Sequence, residues 1–228
     1  MEEHSSDGIL TTGFTIFDDL FGPFTRGDIH LIVGRTDLTY SLMDRLIVNA
    51  ARKGDAAYYI DGGHRADPFA MARVLRMQRT DPRGMLQRVM IARAFTAYQM
   101  DSLINGSLLE LEEVPPLVMV SALDRLFSDP EVDAEAAKGM IENCMKTLDE
   151  MAARGSCVVI AAYGGSSGSD LMPLITPHCS NWVSLRNRQR GRIRMIAKGG
   201  RWTDIAPIHP YQTMIDDFWS GQVLSEAV

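Results

Sequence analysis

The stretch LIVGRTDLTYSL, residues 31–42, decides how the rest of the chain is interpreted. It starts in an apolar segment typical of a buried strand. It ends where apolar residues begin to recur at helical spacing, from Leu42 to Ala51. A strand-to-helix loop is a common place for a phosphate, because backbone N–H groups and the helix N-terminus face the anion there.

A phosphate loop of the common kind reads G-x-x-x-x-G-K-S/T, and its frame here is residues 34–41. Its backbone wraps the phosphates, its lysine neutralises them and its hydroxyl holds Mg²⁺. Gly34 and Ser41 fit this frame, whereas Thr39 replaces the second glycine and Tyr40 replaces the lysine. The four positions therefore form a degenerate cofactor-binding site. Whether they correspond to a phosphate loop has to be judged from the neighbouring sequence.

Strand and helix patterns alternate outward from this stretch, which predicts an α/β fold with a mostly parallel twisted sheet flanked by helices. We predict helices from Ser41, after Asp67, over 96–111, weakened by Gly106, and after Asp133. The segment 181–198 holds two alternating runs around Gly191 and predicts a C-terminal antiparallel hairpin. Strands are predicted at 28–33, 56–60, 88–92, 116–120 and 157–162. We find no repeat and no linker, so one domain over residues 1–228 is expected.

The composition is that of an ordinary globular protein, with 46% hydrophobic and 23% charged residues and a net charge of −6. No apolar run reaches 18 residues, and the acidic start MEEHSSDG is unlike a secretory signal. Three scattered cysteines suit a reducing compartment and lack metal-ligand spacing. These features predict a cytoplasmic protein with no membrane span and no metal site.

The charge is unevenly distributed along the chain. Residues 110–150 are strongly acidic, whereas the hairpin region carries seven basic residues and no acidic one. One interpretation is a nucleic-acid surface; the other is a sheet edge that charge keeps soluble. The nucleic-acid candidates are Arg186, Arg188, Arg190, Arg192, Arg194 and Lys198, with Arg201 just beyond them. Period-two spacing predicts that Arg186, Arg188 and Arg190 share one face of the first strand, and Arg192 and Arg194 one face of the second.

Five segments in order resemble the ATPase core of the RecA/RadA/Rad51 recombinase family. The leading segment, 11–34, has the family's pattern at Thr12, Gly13, Phe17, Asp18, Leu20, Gly22, Gly27 and Ile29. The other four segments are YYIDGGHRADPF (58–69), VMIARAFTAYQM (89–100), PLVMVSALDRLF (116–127) and HCSNWVSLRNRQRGRIRMIAKGG (178–200). The resemblance covers about residues 10–208 and leaves 209–228 as a tail. It implies a RecA-like P-loop NTPase core and a short, core-only paralogue of the RadB or Rad51-paralogue kind.

The resemblance also implies positions for the ATPase chemistry, and this chain departs from each of them. Tyr40 stands at the lysine, Gly63 at the general-base glutamate, and Ser121 at the Walker B aspartate, while the sensing glutamine falls at or beside Tyr163. Arg35 is a candidate substitute cation. Two displaced carboxylates, Asp61 and Asp124, are candidate metal anchors.

These departures predict a catalytically inactive paralogue without a cofactor, since ATP and Mg²⁺ would bind only if the degenerate site still accepts them. It would act by binding a protein partner, a recombinase or a second copy, in DNA recombination or repair. One alternative is a divergent, DNA-dependent ATPase that still binds ATP. Another is a KaiC-like regulatory module.

Direct DNA binding by the recombinase route is not favoured by the sequence. The two loops that would line the DNA are SDPEVDAEAAKG (128–139), which has four carboxylates, and 164–180, which has no arginine. The assembly motif Phe-x-x-Ala matches FAMA (69–72), but Pro68 predicts a helix there. Phe218 and Trp219 are a further candidate partner contact.

Overall fold

A computed structural model describes residues 8–164 and 171–206. Its strands are β1 (Ile9–Leu10), β2 (Phe24–Thr25), β3 (Ile29–Val33), β4 (Ala57–Asp61), β5 (Val89–Arg93), β6 (Leu117–Ser121), β7 (Cys157–Ala162), β8 (Asn181–Asn187), β9 (Ile193–Ala197) and β10 (Trp202–Ile205). Its α-helices are α1 (Thr15–Phe21), α2 (Asp37–Arg52), α3 (Pro68–Met77), α4 (Pro82–Leu86), α5 (Ala97–Ser102), α6 (Leu123–Phe127), α7 (Ala134–Ala153) and α8 (Met172–Ile175). A π-helical turn, Leu103–Ser107, continues α5.

The centre of the fold is an eight-stranded sheet in the order β10-β9-β8-β3-β7-β6-β4-β5. The six strands from β8 to β5 are parallel, and β9 and β10 continue the sheet in antiparallel fashion. The predicted α/β class, mostly parallel sheet and antiparallel hairpin are therefore confirmed. The sequence analysis did not predict β10, which pairs with β9, or the small sheet of β1 and β2.

The strands at the centre of the sheet are apolar on both faces because helices cover both faces. Ile32 on β3 packs in one core cluster with Leu46 of α2. Its neighbour Leu31 packs in the other cluster with Met145 and Leu148 of α7. The helical residues Met43, Met71, Met100, Met145 and Met151 are buried in these clusters, whereas Met77 is exposed; all three cysteines are buried and free.

The helices begin and end largely where local chemistry directs them. The Asp67 side chain caps α3 by accepting from the N–H groups of Phe69 and Ala70, and Pro68 opens that helix as predicted. The helix predicted over 96–111 is shorter: α5 ends at Ser102 and passes into the π-helical turn that contains Gly106.

Within residues 8–164 and 171–206, we find no helix that combines the length and hydropathy needed to cross a bilayer.

Gly34 joins β3 to α2 at a point where the chain has no room for a side chain. Its φ is 157°, and a Cβ placed there would lie 2.5 Å from the carbonyl oxygen of Leu185 on β8. Gly139, on the exposed face of α7, has no atom within 4 Å of the corresponding Cβ. The two glycines therefore make a matched pair for testing this strand-to-helix turn.

We expect Gly34→Ala to lower the free energy of unfolding by about 1–3 kcal/mol, because β8 must move away from the new methyl group. Gly139→Ala should instead raise it by about 0.5–1 kcal/mol through helix propensity. Urea denaturation followed by circular dichroism measures both. Equal effects of the same sign would contradict this description of the turn.

Candidate functional site

The residues singled out by sequence meet at the carboxyl edge of the parallel strands. Gly34 follows β3, Gly63 follows β4, Ser121 ends β6 and Tyr163 follows β7. In open α/β sheets, ligands bind outside this edge. The structure therefore brings together positions that are up to 129 residues apart in sequence, from Gly34 to Tyr163.

The loop after β3 is much shorter than a phosphate loop. Helix α2 begins at Asp37 and not at Ser41, so only Gly34 to Thr36 remain outside regular structure. Thr36 caps the helix by accepting from the Thr39 N–H at 3.1 Å. The Thr39 hydroxyl donates to the Gly34 carbonyl at 2.9 Å and so fills the inside of the turn. The predicted helix start at Ser41 was wrong, and Ser41 is half-buried within α2.

Tyr40 and Tyr163 cover the position where the resemblance places a general base. A Cβ added at the buried Gly63 would lie 3.2 Å from the Tyr163 hydroxyl oxygen, 3.5 Å from Ser121 Oγ and 3.6 Å from Tyr40 Cε1. Burial raises the pKa of Tyr40, and a hydrogen bond with the Tyr163 side chain raises it further. Two neutral phenols thus occupy the space that a lysine and a carboxylate would need.

Arginine side chains surround this tyrosine pair from the solvent side. The guanidinium of Arg65 lies 4.7 Å from the centre of the Tyr40 ring. Arg35 and Arg125 lie 5.4 and 5.7 Å from the centre of the Tyr163 ring. All three distances are within the range of cation–π attraction. Arg35, a candidate substitute cation, is exposed and lies over the Tyr163 ring.

Asp61, a candidate metal anchor, is fully buried, and both of its carboxylate oxygens accept hydrogen bonds from the protein. One carboxylate oxygen accepts from Ser121 Oγ at 2.9 Å and from the Arg65 N–H at 3.2 Å. The other accepts from the Ala66 N–H at 2.9 Å, and Arg93 lies 3.7 Å from it. The carboxylate fixes the turn after β4 and ties that strand to β6.

Asp124, the other candidate anchor, is also buried and holds a loop. Its two oxygens accept from the N–H groups of Tyr163 and Gly164, at 3.0 and 2.9 Å. Burial raises the pKa of Asp124, and these backbone hydrogen bonds oppose that effect. In residues 8–164 and 171–206, no three His, Cys, Asp or Glu side chains are grouped as metal ligands.

The arginines of the hairpin do not share strand faces as predicted. Strand β8 ends at Asn187 and β9 starts at Ile193, so Arg188, Arg190 and Arg192 lie in the turn between them. Arg190 has a φ of 60°, in the left-handed region, which breaks the alternation on which the prediction depended. The predicted faces were wrong for this reason.

The other basic candidates of this region bind the protein itself. Arg194 forms two hydrogen bonds with Asp204, at 2.7 and 2.6 Å, and lies over the Trp202 ring. Lys198 donates to the Ser180 carbonyl and Arg201 to the Leu20 carbonyl. Lys198 and Arg201 are nevertheless exposed, as are Arg186 and the three turn arginines.

The acidic loop predicted at 128–139 holds its carboxylates close to its own backbone. Asp129 accepts from the Glu131 N–H, and Asp133 caps α7. Residues 165–170 of the other predicted DNA loop lie outside the described part of the chain, as do Phe218 and Trp219.

Several large apolar side chains are exposed on β5, just after β5 and on α3. Phe95 is 65% exposed and stacks on His64, with ring centres 4.3 Å apart. Tyr98 is 62% exposed, Met90 on β5 is 49% exposed, and Phe69 in the first turn of α3 is 83% exposed. FAMA is helical, as Pro68 predicts. Local sequence patterns do not single out these side chains as exposed, because their exposure depends on tertiary packing.

A comparison with protein-family models finds no match to this chain, and a comparison with curated proteins finds none either.

Asp44, one turn after Tyr40 on α2, is a half-buried carboxyl group that the sequence did not single out. Burial, followed by the nearby carboxylates of Asp67 and Asp61, raises its pKa to about 8. An aspartate in an unfolded chain has a pKa of about 3.9. Between these values the folded state binds one more proton than the unfolded state, so Asp44 makes the protein less stable as the pH rises.

We therefore expect Asp44→Asn to raise the free energy of unfolding at pH 8 by up to about 5 kcal/mol and to change it little near pH 4. Urea denaturation of both proteins at intervals from pH 4 to pH 9 measures the difference. Parallel stability profiles for the wild type and the variant would contradict a raised pKa at this position.

Proposed function

We propose that this chain is a RecA-like core that neither hydrolyses ATP nor uses it as a cofactor, and that it acts as an accessory protein in DNA recombination or repair. Its role is to bind a protein partner, either a RecA-like recombinase or a second copy of itself. Support comes from the resemblance of five segments and from the placement of three of them, whose residues Gly34, Gly63 and Ser121 lie at one edge of the sheet.

A single observation carries the proposal: Tyr40 and Tyr163 close over Gly63. ATP hydrolysis would need a cation at position 40, against the phosphates, and a carboxylate at position 63 to activate water. A side chain at Gly63 meets the Tyr163 hydroxyl at its first carbon, so the site is changed in shape as well as in charge.

The expected loss of transition-state stabilisation favours an inactive site over a slow ATPase. Removing one charged or hydrogen-bonding group from a preorganised site commonly costs about 3 kcal/mol in the transition state, or a factor of about 100 in rate. Three such positions differ here, although their effects do not add simply. The buried carboxylates that would rescue a metal, Asp61 and Asp124, already accept backbone N–H groups.

The alternative of an active, divergent ATPase would require those carboxylates to leave their backbone donors. Each carboxylate that moved would leave buried N–H donors without partners, at a cost of about 1–3 kcal/mol for each donor. A KaiC-like regulatory module has the same requirement if it senses ATP. No observation at the carboxyl edge favours either alternative over an inactive accessory protein.

Isothermal titration with ATP and Mg²⁺ tests the loss of the cofactor. We expect no saturable heat at millimolar nucleotide and no phosphate release above the blank, because the turn at Gly34–Thr36 is filled by the Thr39 hydroxyl. Saturable, Mg²⁺-dependent binding that Arg35→Ala weakens would show a working site at this loop and contradict the proposal.

The partner-binding role depends on the exposed aromatic side chains of Phe95 and Tyr98, which follow β5. Edge strands with exposed apolar side chains are normally covered in the functional state of a protein. Phe95 and Tyr98 lie at the carboxyl end of this edge, and their aromatic rings are of the type that dominates interface energies.

We expect the double variant Phe95→Ser and Tyr98→Ser to weaken partner binding at least tenfold, by loss of aromatic burial. The binding partner is either a RecA-like recombinase of the same organism or the chain itself, and sedimentation velocity measures both. Met77→Ser, which changes an equally apolar but separate exposed side chain at the far end of α3, is the matched control. Failure of the wild type to bind either partner would contradict this role.

A further inference from the structure

The connection between α3 and α4 carries a concentration of positive charge that the proposed function does not use. Residues 68–100 contain six arginines, one aspartate, and no lysine or glutamate, in a chain whose net charge is −6. Three of these arginines, Arg76, Arg79 and Arg83, lie between the last turn of α3 and the first turn of α4, and all three are exposed. We call these three arginines, together with Met77, the α3–α4 surface.

The backbone holds the three arginines close together. The Arg79 N–H donates to the Arg76 carbonyl at 2.9 Å, and the Asp81 side chain caps α4 by accepting from the Arg83 N–H at 3.2 Å. Within the part of the chain that the structure describes, none of the three guanidinium groups takes part in an ion pair. Cations grouped in this way, with little neutralising charge, favour an anionic partner.

Arg79 occupies a backbone position that does not suit an arginine. Its φ is 55°, in the left-handed region where glycine is commonly found just after a helix. Glycine would adopt this backbone with less strain. The path of the chain from α3 to α4 therefore does not depend on the Arg79 side chain, which can be removed without disturbing the turn.

The composition of the α3–α4 surface indicates what kind of anion it suits. Met77 is 49% exposed and lies between Arg76 and Arg79 in sequence. Arginine and methionine are enriched and lysine is depleted where proteins bind one another, and no lysine occurs between positions 54 and 137. Phosphate backbones are contacted by lysine as well as arginine. A protein with carboxylate and apolar side chains side by side therefore fits this surface better than a nucleic acid.

We infer that the α3–α4 surface binds an acidic segment of a partner protein, whose carboxylates pair with the three arginines and whose apolar side chains contact Met77. Guanidinium groups suit this role because they can donate two parallel N–H hydrogen bonds to one carboxylate. The surface precedes the amino end of β5, whereas Phe95 and Tyr98 follow its carboxyl end. It is therefore a second docking surface, and it does not depend on the proposed function.

Peptide binding to the full chain, followed by fluorescence anisotropy at low salt, tests this inference. One labelled synthetic peptide repeats Glu-Glu-Leu, and a second peptide of equal length and charge repeats Glu-Glu-Ser. We expect the leucine peptide to bind about fivefold more tightly, because only its side chains bury apolar area against Met77. Met77→Ser should remove that preference.

Neutral variants locate the site on the protein. Arg76→Gln with Arg83→Gln should weaken binding of the Glu-Glu-Leu peptide about tenfold, because two charge-assisted contacts are lost. The matched control is Arg188→Gln with Arg192→Gln, which makes the same change in net charge in the exposed β8–β9 turn and should leave the affinity unchanged. An equal loss of affinity in both double variants would overturn the proposal.

Arg79→Gly separates binding from stability. This variant should also weaken binding of the Glu-Glu-Leu peptide, while the melting temperature measured by circular dichroism stays the same or rises, since glycine suits a φ of 55°. Unchanged affinity in Arg79→Gly would contradict a contact at this position.

An oligothymidylate with the same number of negative charges distinguishes a protein partner from a nucleic acid. We expect it to displace the labelled Glu-Glu-Leu peptide at least tenfold less effectively than the unlabelled peptide does. Equal displacement would make the α3–α4 surface a general polyanion site, and a wild type that binds neither acidic peptide would leave it without a partner of this chemistry. Either result would show that the proposal is wrong.

Discussion

The hydrogen bonds of the buried Asp61 carboxylate determine the shape of the carboxyl edge. They join β4 to β6 through Ser121 and fold the turn after β4 back on itself. That turn brings Gly63 under the two tyrosines and places Arg65 against Tyr40. A buried carboxylate without these donors would be costly to the fold. The same group therefore cannot serve both as a structural anchor and as a free metal ligand.

Local side-chain contacts account for the closed turn between β3 and α2. A threonine at position 39 provides a hydroxyl that reaches the Gly34 carbonyl and an N–H that Thr36 caps. Both contacts start the helix early and draw the backbone inward. Tyrosine at position 40 then finds a partner in Tyr163. The side chains at positions 36, 39 and 40 therefore stabilise a closed turn.

The sequence predicts the parallel strands well, because runs such as LVMV and VVIAA are apolar on both faces and lie between clear breaks. It predicts the cap of α3 from local chemistry. It fails where tertiary context decides. The left-handed backbone at Arg190 removes the period-two pattern, and β10 pairs only because β9 is beside it. Arg65 reaches Tyr40 through a turn that no local pattern specifies. A resemblance located the positions of the candidate site, but only the structure shows how its residues fill the space.

The two flanks of the central sheet are chemically unlike. Strand β5 is bordered by exposed aromatic side chains, whereas β10 is bordered by Arg194 paired with Asp204 and by the turn arginines. A surface suited to apolar groups and a surface suited to anions therefore lie on opposite flanks of the same sheet.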